Sequence, residues 1–63
     1  MLLKVTEVVH NNPVTVNPDF VVAVFTATEG EMVGKTVISL VNGSLVVNED
    51  YLEVTGQLAG ALQ

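Results

Sequence analysis

His10, Ser39, Ser44 and the acids Glu29 and Glu31 are the residues of this chain whose types could do chemistry. Ser39 and Ser44 fall on one face of an expected hairpin, but a serine becomes a nucleophile only with a base in reach. The single histidine, His10, lies in a separate loop beside Asn11 and Asn12, where it reads as turn chemistry. Glu29 and Glu31 could share a cation, yet no further acids follow at the spacing of a calcium loop. Gly30 to Lys35 looks like part of a phosphate loop. Its glycines, Gly30 and Gly34, are spaced wrongly, however, and Lys35-Thr36 leads into a strand where that motif needs a helix. With no cysteine there is neither a disulfide nor a thiolate zinc site. The sequence therefore predicts a chain that is not an enzyme, with no catalytic residue, cofactor or metal.

Charge narrows the partners further. Seven acids stand against Lys4 and Lys35, a net charge of −5, and there is no arginine. Two lysines cannot form the basic patch that a phosphate backbone attracts, so nucleic acid and anionic membrane surfaces are not expected as partners. The longest run without a charge, Thr36 to Asn48, has thirteen residues and contains an Asn-Gly pair. A membrane-spanning helix needs roughly 20 apolar residues, so no membrane insertion is expected. Met1-Leu2-Leu3 is followed at once by Lys4 and Glu7, which interrupts any targeting segment and predicts a cytoplasmic protein.

The elements that would position these residues are short. Residues 2–9 read as a strand of β-branched residues, followed by an Asn11-Asn12-Pro13 loop and a second strand over 13–16. Asn17-Pro18-Asp19 predicts a single helical or 3₁₀ turn capped by Asn17. Residues 21–28 read as a strand with Phe20, Val22, Val24 and Thr26 on one face and Val21, Ala23, Phe25 and Ala27 on the other. Both faces are apolar, which predicts a central strand or one half of an interface between copies. A loop over 29–35 carries Met32 and Val33 between glycines, either tucked onto the core or offered to a partner.

Strands over 36–41 and 44–48 flank Asn42-Gly43, the strongest short hairpin signal, read as a type I′ turn pairing Val41 with Ser44, Leu40 with Leu45 and Ile38 with Val47. One face is then Ile38, Leu40, Leu45 and Val47, the expected core face. A helix over 49–60 follows, with Asn48 as N-cap and Gly60 as C-cap. Its apolar arc holds Tyr51, Leu52, Val54, Thr55, Leu58, Ala59, Ala61 and Leu62; Gln57 falls on the polar side with Glu49, Glu53, Gly56 and Gly60. The fold class is α+β, one domain over 1–63: a small antiparallel sheet or partly open barrel of four or five strands, then one C-terminal amphipathic helix.

The succession Val5-Thr6, Val16-Asn17-Pro18-Asp19, Thr36-Val37-Ile38-Ser39-Leu40 with Asn42-Gly43, then Val46-Val47 and Glu49 resembles the small bacterial flagellar FlbD family over most of the chain. The chain departs from that family in its longer 29–35 loop and in a helix end without Lys or Arg. The resemblance implies a supporting role in flagellar motor function and brings no catalytic residues.

A chain of 63 residues that is 49% apolar carries more apolar surface than one small core hides, and so short a chain buries only about 60% of its unfolded surface. The leading expectation is a protein–protein interaction or assembly module that self-associates and docks another protein. Its candidate interface is Phe20, Val22, Val24, Met32, Val33, Tyr51, Leu58 and Leu62. The alternative is a regulatory or ligand-binding small β-barrel.

Overall fold

The computed structural model describes residues 2–61. It is an α+β domain of two antiparallel sheets and one C-terminal helix. The first sheet pairs β1 (Leu3–Thr6) with β2 (Pro13–Val16). Pro13 opens β2, where its missing N–H removes no bond from a central ladder. The strands are joined through a turn in which Glu7 N–H donates to the Asn12 carbonyl at 3.0 Å. Asn11 makes that turn possible by adopting a left-handed φ of 56°, a conformation its short polar side chain tolerates.

The second sheet has the order β3-β4-β5: Val21–Thr26, Thr36–Leu40 and Gly43–Val47. As expected, the step from β2 to β3 is one 3₁₀ turn, Pro18–Phe20, whose first amides are met by Asn17: its side-chain oxygen accepts from Asp19 N–H at 3.0 Å. The strand over 21–26 is an edge strand, not the central one its two apolar faces suggested. The sheets do not close into a barrel. They meet where the end of β1 runs antiparallel to β5, through a Glu7–Val47 bridge, a Val8 N–H to Val46 carbonyl bond of 3.0 Å and an Asn48 N–H to Thr6 carbonyl bond of 2.9 Å.

The β4–β5 hairpin keeps its expected core face but not its expected turn. Ile38 opposes Leu45, Thr36 opposes Val47 and Leu40 opposes Gly43, so Val41 and Asn42 form the turn and Gly43 begins β5. A type I′ turn requires positive φ at both central residues, and Asn11 is the only non-glycine with positive φ among the described residues. Val41 is instead tied sideways, its N–H donating to the Phe20 carbonyl at 3.0 Å. Moving the turn by one residue shifts each cross-strand partner by two, which leaves every side chain on its face. Ile38 and Val47 are accordingly fully buried, with Leu40 and Leu45 packed beside them.

The helix α1 (Tyr51–Ala61) starts two residues later than expected. Asp50 is its N-cap: the Asp50 carboxylate accepts from Glu53 N–H at 2.8 Å, and the Asp50 carbonyl takes the first helical bond, from Val54 N–H at 3.1 Å. Asn48 has another role, donating from Nδ2 to Asn11 Oδ1 at 2.9 Å. Gly60 lies inside the helix and does not terminate it. An 11-residue helix containing two glycines is marginal on its own, so tertiary contacts must hold it. Val54 is fully buried against Leu3, Val5, Val16, Ile38 and Val47, and Leu58 packs one turn further along.

Gln57 provides the directional contact. Its side-chain oxygen accepts from Lys4 N–H and its amide nitrogen donates to the Lys4 carbonyl, both at 2.9 Å. The carboxamide thus acts as one residue of a neighbouring strand. Beside it the Glu49 carboxylate accepts from Thr6 N–H at 2.7 Å and from the Thr6 hydroxyl at 3.0 Å. Lys4 and Thr6 of β1, with Val8 in the turn after it, point backbone groups away from β2, and helix, loop and β5 satisfy them between them. Replacing Gln57 with Ala leaves the Lys4 groups to water, and we expect a loss of about 1 kcal/mol, read as a lower urea midpoint at unchanged slope. Gln57→Glu keeps the acceptor but sets a carboxylate against the Lys4 carbonyl, and should lower the midpoint further.

Candidate functional site

The expected interface residues separate into three groups. Val24 and Leu58 are half-buried and pack against the core, so they hold the fold together. Phe20, Val22, Val33 and Tyr51 are exposed, at 54%, 66%, 58% and 44%. Met32 is half-buried, and Leu62 lies outside the described residues.

The parting of Val22 from Val24 has a definite cause. Between Val21 and Ala23 the register of β3 against β4 shifts, a β-bulge in which an extra residue faces one partner residue. The alternation resets there, so Val21 and Val24, three apart, both pack against the core. Val22 is left outside, and past the bulge Phe25 is half exposed opposite Val37. From Phe20 to Thr28 the chain carries no charge. One side of β3 bonds to β4, and no strand pairs with its other side among the described residues. The expected interface holds Val22 and not Phe25, since both faces of the strand read as equally apolar and the bulge that resets them leaves no local signal.

The loop that follows is folded. Ala27 N–H donates to the Lys35 carbonyl at 2.8 Å and Gly34 N–H to the Ala27 carbonyl at 2.9 Å, so the hairpin ladder continues past β3 and β4. Gly30 and Gly34, at φ of 85° and 88°, take the left-handed positions this path requires. Met32 is drawn in and Val33 is left out, so the apolar pair divides between the two expectations. On the helix the apolar arc also divides, with Val54 and Leu58 inward and Tyr51 and Leu52 outward.

The chemistry-bearing residues do not converge. Ser39 and Ser44 are direct cross-strand partners, while His10 is engaged with Glu7 in the β1–β2 turn, 3.4 Å from Nδ1 to Oε1. No group of three or more His, Asp or Glu side chains could hold a metal among the described residues. A cleft of about 340 Å³ lies over β1 and β2, bordered by Lys4, Thr15 and Glu49, but Glu49 is already engaged by Thr6. No described helix is long and apolar enough to cross a membrane. No family model, curated protein or solved structure matches the chain.

The fold perturbs the titration of Glu7. Its carboxylate accepts from Val9 N–H at 2.8 Å and His10 N–H at 2.7 Å, closing the turn after β1. Desolvation raises its pKa, but the amides of His10, Val9 and Asn12 and the charge of the His10 ring outweigh it and hold the carboxyl below the ordinary 4.5. A depressed carboxylate contributes stability above its unfolded pKa and loses it as pH falls through the folded value. We therefore expect Glu7→Gln to be less stable than the parent chain at neutral pH. That gap should close as pH falls below 4.5, measured by urea denaturation across the range.

Proposed function

We propose that this chain is a small non-catalytic assembly module whose β3 edge pairs with the same edge of a second copy. The supporting observation is a strand, Val21–Thr26, with one unpaired side, exposed Val22 and Phe25, and no charge from Phe20 to Thr28. Free edges are ordinarily guarded by Lys, Pro, bulges or cover, since their unpaired N–H and C=O groups are templates for another strand. Here the guard is the bulge at Val21/Ala23, and Ala23–Thr26 beyond it keeps a regular ladder register.

An identical strand is a suitable occupant for that edge. Antiparallel pairing about a two-fold axis sets Val and Phe beside Val and Phe, joins two three-stranded sheets into one, and brings no charge into the seam. The opposing force is global. Each copy carries a net charge of −5, with Asp19 before the strand and Glu29 after it, so two copies repel at long range. The resemblance to the flagellar FlbD family offers one setting for such a module, the support of a motor assembly.

Sedimentation equilibrium at micromolar concentration should show a dimer that tightens as salt is raised, because screening removes the repulsion and leaves the apolar contact. Phe25→Lys puts a charge in the seam and should weaken the dimer by roughly tenfold or more, which is about 1.4 kcal/mol. Leu52→Lys, on the outward helix face, should leave it unchanged. A parent chain that stays monomeric across this range contradicts the proposal.

A further inference from the structure

We infer that Asn42 is a site of spontaneous deamidation, at which water converts its carboxamide to aspartate or isoaspartate; this stands apart from the self-association proposed above. In this reaction the Gly43 backbone nitrogen attacks Asn42 Cγ. A C–N bond forms, the Cγ–Nδ2 bond breaks, and ammonia leaves with the proton from the Gly43 amide. Water then opens the succinimide ring at either carbonyl, returning an aspartate or an isoaspartate with one added negative charge. No oxidant, metal or second protein takes part.

Four requirements follow: a following N–H, an uncrowded following residue, an unengaged carboxamide and access to water. The chain has five asparagines, and one meets all four. Asn12 and Asn17 precede Pro13 and Pro18, which have no N–H to attack with. Asn11 and Asn48 are bonded to one another at 2.9 Å, and Asn48 also accepts from Lys35 Nζ at 3.4 Å. The residues after them, Asn12 and Glu49, carry side chains that crowd the nitrogen. Asn42 is exposed at a hairpin turn and its side chain bonds to no other described residue. Nothing lies within 4 Å of the point where a Cβ on Gly43 would sit.

The turn gives the change its consequence. Val41 and Asn42 connect Leu40 to its partner Gly43, and Val41 N–H holds the Phe20 carbonyl at the start of β3. Isoaspartate adds a methylene to the main chain inside that two-residue connection, so Leu40 and Gly43 no longer meet in register. The new charge stands beside exposed Val41 and Phe20. An aged chain therefore differs from a new one at the junction of all three strands of its larger sheet.

The test is incubation of the folded full chain at mildly alkaline pH, with peptide mapping by mass spectrometry and isoaspartate detection. The unfolded chain in urea and the Asn42→Gln variant, checked for fold by circular dichroism, run alongside. Both product forms should accumulate at Asn42 with the other four asparagines unchanged, and the modification should be lost in Asn42→Gln. The inference is overturned if folded Asn42 stays intact while the unfolded chain converts, or if Asn11 or Asn48 converts as fast.

Discussion

The structure depends on closure of one strand edge. β1 has β2 on one side, and on the other its backbone meets a succession of unlike partners: the Gln57 carboxamide at Lys4, the Glu49 carboxylate and Asn48 amide at Thr6, and the Val46 carbonyl at Val8. At half-buried Thr6 an unmet donor would be costly, and a two-stranded ribbon alone is marginal at best. By drawing the helix and β5 onto β1, this set of bonds turns two small sheets into one domain. The apolar cluster of Leu3, Val5, Val16, Ile38, Val47 and Val54 forms where they meet. Burial supplies the driving force there, and the polar edge fixes which face of the helix is turned inward.

That division explains what the sequence made legible. Features set by local chemistry or by parity were readable: the Asn17-capped 3₁₀ turn, Pro13 at the start of β2, and the Ile38, Leu40, Leu45, Val47 face, which survives a two-residue slip of register. Features set by long-range bonds were not. Gln57 sits on the polar side of the helical wheel, and nothing near it in sequence announces a partner 53 residues away. Asn48 and Asp50 are both good cap residues, and the choice fell to Asp50 once Asn48 was engaged by Asn11. The β3 bulge leaves no mark in the alternation it interrupts, so the exposed set was misread at Phe25 and Val24.

The two outer faces of the domain follow from the same asymmetry. Gln57 of the helix is committed to β1, and β3 pairs with no strand but β4 among the described residues. The apolar residues beyond the needs of the core are then distributed outward, on Val22 and Phe25 of β3, on Val33 of the loop and on Tyr51 and Leu52 of the helix. Among these, β3 alone combines apolar side chains with an unpaired backbone. An assembly role is the reading that uses both properties at once.

The β1 edge is closed within the chain, and we propose that the β3 edge is closed by a second copy. Amide hydrogen exchange measured as a function of protein concentration separates the two directly. The Lys4 and Thr6 amides should be protected at every concentration, while the β3 amides not bonded to β4 should gain protection only as concentration rises through the association range. Outer β3 amides that exchange freely at all concentrations, or that are protected equally at the greatest dilution, would contradict it.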